Sequence, residues 1–452
     1  MADSDRSRTL PLGLSLGYGL GSVGTGIYNT VPGLLLLIYM TDTLGIPAWL
    51  AGLGIFVPKL WDVITDPWMG SLSDRSHSRW GRRRPWLLAG GLILPPLFVG
   101  LFSAPDFGDP MLAFAWVLGF YVLCATAYTT FSVPYIAMPA EMTDDYDAVT
   151  SLMGWRMALL TIGVLVSGAL APALVHVFGD GRSGYAGMAA VIAAALALSM
   201  IGTFFGTRKA PQRERTDTAP PFWSTFRAAL SVKPFAILTA GYFFQHAGVG
   251  AVLAVVAYFA RYTLEGGDLT VTILFVCLVA PAFAFMPVWV LVSKRIGKQT
   301  GFIASMLLFG LGAASLWLAS PDNLVLVYVQ VAVVGIGWAG TELFPFSMLP
   351  DVIAADREAS GERREGAFTG LWMAIDKGSL AFGALASSLV LEAGGFVESE
   401  AGEVVTQPAS AYTAIRVATA LLPAVSVALS VPIIRRYTLG RAATQAIYAK
   451  AD

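Results

Sequence analysis

The chain is short of charge. Only 13% of its 452 residues are Asp, Glu, Lys or Arg, against roughly a quarter in an average soluble domain, and 56% are hydrophobic. That balance excludes an ordinary soluble globular protein, and a mean hydropathy of +0.66 assigns the chain to a bilayer. Cysteine is scarce as well. Cys124 and Cys277 are the two present, both in apolar runs, which rules out a disulfide framework and a cysteine metal motif. The three histidines, His77, His176 and His246, are scattered, and no HExxH pair occurs. An enzyme, a resident cofactor and a nucleic-acid partner are therefore not expected. No filter-like glycine repeat suggests a channel, and the first apolar segment is too long for a signal peptide.

What the chain has instead is long apolar runs. Runs of about 20 residues cross roughly 30 Å of hydrocarbon, and twelve are readable, at 11–40, 47–73, 85–103, 111–140, 151–177, 184–206, 234–262, 270–293, 299–319, 323–349, 366–392 and 409–435. The expectation is an all-α polytopic membrane protein, its domains a six-helix bundle over 1–206, a linker over 207–233 and a second six-helix bundle with a tail over 234–452. Lysine and arginine collect in cytoplasmic loops. With the N-terminus inside, they fall in the loops after spans two, eight and ten, the central linker and the tail, while the outside loops hold essentially only Arg182. Both termini are then cytoplasmic, in what is expected to be a bacterial inner membrane.

Two loop patterns recur six spans apart. GSLSDRSHSRWGRRRP after span two is echoed by VSKRIGKQTG after span eight, basic residues around a Gly; FSVPYIAMPAEMTDDYD after span four is echoed by FPFSMLPDVIAADRE after span ten, a Pro and then an acid. Repeated halves with a site near the midplane are a recurring transporter architecture.

Charges inside spans point to that site. Asp62 and Asp66, four residues apart, share a helix face. At 1.5 Å per residue, Asp62, Thr129 and Lys377 each lie roughly 17 Å deep. An acid pair from one half and a base from the other are matched in height, which reads as a cation site with Lys377 in the conformational cycle. Lys59, on the same face as the acids, is an alternative static partner, as Asp376 is for Lys377. His246, Glu342 and Arg156 are weaker candidates for substrate contact, and Trp61, Trp68, Trp338 and Trp372 could form an aromatic surface or plain packing. Asp74 and Arg75, with Arg82, Arg83 and Arg84, suggest an interhelical charge network or a topology signal.

The loop GSLSDRSHSRWGRRRP resembles the hallmark loop of the major facilitator superfamily. WDVITDPWMG, FSVPY and MLPDVIAADREASGERREGAFTGLWMAIDKG together resemble its glycoside, pentoside and hexuronide cation symporters. The resemblance covers both halves. It implies the major facilitator fold, Asp62, Asp66 and Thr129 as ligands of the coupling cation, a functional Lys377, and cation-coupled transport of a small organic substrate by a protein working as a monomer. Thr65 stands where a sodium-using member has an asparagine, so the coupling ion, Na+ or H+, stays open. On the substrate side Thr25 and Gly26 replace an acidic residue of the first span, Ser132 replaces the second sugar-binding carboxylate, Ile136 replaces an aromatic, and Arg156 matches a substrate-site arginine. The family implies a glycoside or other sugar-like substrate, while these replacements make a lysolipid or other amphipathic substrate the alternative.

Overall fold

The computed structural model describes residues 10–76, 78–142, 146–210, 230–360, 365–399 and 405–439. Within them lie twelve helices long and apolar enough to cross a membrane, numbered here in chain order. They are α1 (Leu12–Asp42), α2 (Ala48–Asp74), α3 (Arg84–Leu101), α4 (Pro110–Ala137), α5 (Tyr146–Val177), α6 (Gly181–Gly206), α7 (Lys233–Thr263), α8 (Asp268–Ile296), α9 (Lys298–Ser315), α10 (Leu324–Ser360), α11 (Glu365–Ala393) and α12 (Ala409–Ile434). No strand of a sheet interrupts them among the described residues. Most of the expected linker, 211–229, lies outside the described residues.

In lipid every backbone polar group must be satisfied within the protein, which leaves helix as the solution for such runs. Side-chain hydroxyls follow the same rule. Thr126, Thr130 and Thr239 each donate to the carbonyl four residues back, returning a buried O–H to its own helix. The helix ends are set locally: α4 starts at Asp109, whose carboxylate accepts from the Met111 N–H at 2.8 Å, with Pro110 at the first helical position. Large apolar side chains such as Leu198 (77% exposed) and Leu318 (76% exposed) face outward, the arrangement lipid demands and water penalises.

The two basic loops turn the same way. Gly81 has φ 93° and Gly297, alone between α8 and α9, has φ 84°, a left-handed conformation that only glycine adopts without steric cost. Helix contacts repeat too: α3 packs on α4 and α6, and α9 packs on α10 and α12. The recurrence seen in the sequence is thus a recurrence of structure.

Contacts sort the chain into two compact units. One holds residues 1–32 and 60–218, the other 33–59 and 219–452. The end of α1 and the start of α2 therefore belong with the second unit. There Thr41 Oγ1 lies 2.6 Å from the Tyr258 hydroxyl, and Asp42 accepts from the Tyr262 hydroxyl at 2.5 Å and from Arg261 at 3.2 Å. Ser399 donates to the Asp42 carbonyl and Glu398 accepts from the Ala48 N–H at 3.1 Å. Both divisions fall beside a proline, Pro32 and Pro58, where a helix loses a backbone hydrogen bond and can bend.

Candidate functional site

In the first unit, α2 carries Asp62 and Asp66 one turn apart and α4 brings Thr129 to them. The Thr129 hydroxyl donates to Asp66 Oδ1 at 2.7 Å and stands 3.5 Å from Asp62 Oδ1. Asp62 is fully buried and Asp66 half-buried. A second bond fixes the register of the two helices one turn away, where the Trp61 indole donates to Thr126 Oγ1 at 2.9 Å. Thr65 is buried, and its hydroxyl donates to the Trp61 carbonyl of its own helix. Two carboxylates and a hydroxyl make an all-oxygen set suited to a hard cation or a proton.

The other predicted residues of this unit sit in a different network. The Arg156 guanidinium lies 5.9 Å from the centre of the Tyr135 ring. Tyr135 stacks on Tyr18 at 4.5 Å, shares a 2.7 Å hydrogen bond with Ser22, and donates to the Tyr18 carbonyl. Thr25 donates to the Ser22 carbonyl, and Ser132 is buried on α4. Asn29 donates to the Tyr128 hydroxyl at 3.0 Å. Sequence reasoning passed over Tyr18, Ser22, Asn29 and Tyr128, since single hydroxyls and amides in apolar runs carry no pattern of their own. Gly26 has a packing reason: a Cβ there would stand 2.7 Å from the Leu160 carbonyl oxygen, so α1 and α5 approach through it.

The basic loop is tied to this unit by its arginines. Arg83 donates to Ser73 Oγ at 2.5 Å, and Arg84 donates to the Phe204 carbonyl at 2.8 Å while covering the Phe204 ring. Arg75 is exposed. The side chain of Asp74 lies outside the described residues, as does His77.

In the second unit the structure gathers His246, Glu342 and Trp372, which the sequence left separate. His246 Nε2 is 3.3 Å from Glu342 Oε1 and Nδ1 is 3.5 Å from Asp376 Oδ1. Tyr242 donates to Asp376 at 2.5 Å and Trp338 donates to Glu342 at 2.9 Å. Tyr242 stacks on His246 and on the fully buried Trp372. Lys377 is half-buried on α11, next to Asp376 in the chain, and Lys59 is half-buried on α2. Tyr242, Ser379 and the part played by Asp376 were missed, although a signal existed: an aromatic stands four residues before the ionisable group in Tyr242/His246, Trp338/Glu342 and Trp372/Asp376. Among the described residues no group of His, Cys, Asp and Glu has the geometry of a metal centre.

Comparison with known proteins agrees with this architecture. The chain is 28% identical to an uncharacterized symporter of Synechocystis sp., covering 94% of this chain and 93% of that one. It is 26% identical to the isoprimeverose transporter of Lactiplantibacillus pentosus (91% and 86% covered) and 27% identical to the sodium-dependent lysophosphatidylcholine symporter 1 of Mus musculus (74% and 69% covered). The crystal structure of the nucleoside transporter NupG superimposes with a TM-score of 0.65 at 16% identity, covering 94% of this chain and all of that one, which shows the fold. The MFS/sugar transport protein family matches residues 17–441, and with its twelve spans and two repeated halves the chain belongs to that family, a membrane transporter and not an enzyme.

Proposed function

We propose that the chain is a secondary active transporter that couples a cation, Na+ or H+, to the uptake of a small sugar-like substrate by alternating access. The observation that carries this is Thr129 set against the carboxylates of the buried Asp62 and the half-buried Asp66. Two neighbouring carboxylates in a low-dielectric interior repel each other and lose hydration. A cation or proton bound between them relieves that repulsion, which favours occlusion of the loaded site over the empty one. Lys377, Asp74 and Arg75 act in the conformational change, and both termini face the cytoplasm.

A sugar-like substrate suits the polar groups available. Within the second unit Glu342 is a hydrogen-bond acceptor with the half-buried Trp338 ring beside it, the kind of flat apolar face that pyranose rings stack on. The isoprimeverose transporter among the relatives agrees. A lysolipid is the second reading, favoured by the absence of carboxylates at Thr25 and Ser132 and by the mouse lysophosphatidylcholine relative.

Uptake by intact cells of labelled isoprimeverose, simple glycosides and lysophosphatidylcholine, under an imposed sodium gradient and then a proton gradient, tests this. Accumulation of a glycoside that disappears in Asp62→Asn is the expected result. Wild-type accumulation in that variant would overturn the cation site, and accumulation of the lysolipid alone would replace the sugar reading with the second.

A further inference from the structure

Three helices of the second unit each carry an aromatic ring one turn before an ionisable group, and the rings wall in the groups. Tyr242 stacks on His246 at 4.8 Å and on Trp372 at 4.5 Å, with the Phe346 ring edge-on to Tyr242 and Trp372. Inside this wall the imidazole has a carboxylate at each nitrogen, Glu342 at 3.3 Å from Nε2 and Asp376 at 3.5 Å from Nδ1. A neutral imidazole has one N–H and would turn a lone pair towards one of the two carboxylates; only the imidazolium donates to both. Its charge offsets one of the two acids in a site where His246 is 4% exposed.

The same site tolerates loss of that proton. Tyr242 already donates to Asp376 and Trp338 to Glu342, so neither carboxylate depends on the ring alone. Ser379 Oγ, 3.0 Å from Nδ1, offers the neutral ring a partner of either polarity. The other helices packed on α7 add little charge nearby. On α12 the base is Arg416, at its start, donating to the Trp317 and Ala319 carbonyls; α8 carries Asp268 at one end and Lys294 and Arg295 at the other. At its far end α7 itself holds Arg261, engaged by Asp42.

We propose that His246, Glu342 and Asp376 form a proton-binding site of the second unit, the imidazole carrying one exchangeable proton between the two carboxylates. The proton is taken from water and returned to it, and no other bond changes. The site shares no residue with the Asp62, Asp66 and Thr129 set, so the carrier has two titratable centres and its transport responds to pH even when sodium is the coupling ion. The inference rests on the proposed symport only for its uptake readout.

Because the chain has three histidines, the full-length purified protein with 15N-labelled imidazoles gives three ring signals. His77→Gln and His176→Gln leave the one from His246. Between about pH 5 and about pH 9, the span of ordinary histidine titration, that signal should pass from imidazolium to imidazole. At fixed pH the imidazolium-to-imidazole ratio should fall roughly tenfold in Glu342→Gln and again in Asp376→Asn, since each removes an opposite charge. A ring that keeps one protonation state throughout, or a ratio unmoved by both variants, overturns the proposal. In cells, His246→Gln should flatten the pH dependence of sodium-driven uptake; an unchanged pH profile with wild-type rates also overturns it. Should the wild type show no cation-driven uptake, the symport reading falls, while the ring titration still decides the proton site.

Discussion

The two units solve one problem in two ways. Each buries a pair of carboxylates inside membrane-spanning helices, but in the first unit the pair gathers around a hydroxyl, Thr129, and in the second around an imidazole, His246. A hydroxyl orients a carboxylate without cancelling its charge, which is what the proposed cation site calls for. An imidazole brings the charge with it and gives it up by titration. On the two proposed readings, the group set against the acid pair distinguishes a site for an ion from solution from a site for a proton on the protein.

The sharpest break would come from exchanging the consequences. Asp62→Asn should weaken sodium binding to the purified carrier on the order of 100-fold, the loss typical of removing one member of a buried charged contact, and leave the His246 ring titration unchanged. Isothermal titration beside the ring spectrum would show it, and a parallel change in both readouts would mean that the two centres are one. Thr129→Ala should cost less, roughly tenfold in cation affinity, the worth of one hydrogen bond to a charged group. Thr129→Ser should restore most of it, and if Ser behaves as Ala, then the hydroxyl is not what matters.

Outside the two centres the expected effects are on stability. Lys298 reaches Asp351 at 2.6 Å and the Ser347 carbonyl at 2.8 Å, joining the two repeated loop motifs within the second unit. Asp351 is buried while Lys298 is 40% exposed in its side chain, so solvent screening reduces the interaction. Lys298→Ala should lower the thermal midpoint by a few degrees, about 1 to 2 kcal/mol, and Asp351→Asn by less, because the Lys298 ammonium it leaves is part-exposed and stays hydrated. Equal midpoints in wild type and Lys298→Ala would reduce the bridge to a surface contact.

The smallest effect concerns Glu398, which lies outside the spans. Burial pushes its carboxyl above the usual range, against the pull of the Ala48 N–H. The folded chain therefore holds that proton more tightly than the unfolded chain. Its stabilising contribution is full below the unfolded value and is lost as pH rises through the folded one. Thermal midpoints measured across that acid window should fall less steeply with rising pH in Glu398→Gln than in wild type. Identical slopes would show that the carboxyl does not titrate there.

Legibility followed the strength of the local signal. The twelve spans and the duplicated loops were readable from local composition, and Asp62 with Asp66 stood out as charges within an apolar run. The glycine turns at Gly81 and Gly297 were visible as motifs before their φ angles gave the reason. Tyr18, Ser22 and Tyr135 were not readable as a network, since their partners are 113 to 117 residues apart. Asp376 was visible only as the neighbour of Lys377.

By itself, then, the sequence determined the solvent, the number of spans and the acid pair on α2, because hydropathy and the helical period act over a turn or a span. Tertiary structure decided which groups meet. It set Thr129 against Asp66, brought Tyr242, His246, Glu342 and Asp376 together from three helices, and grouped residues 33–59 with the second unit. Those outcomes depend on how helices far apart in the chain pack, through close approaches such as Gly26 on Leu160, and no local periodicity encodes them.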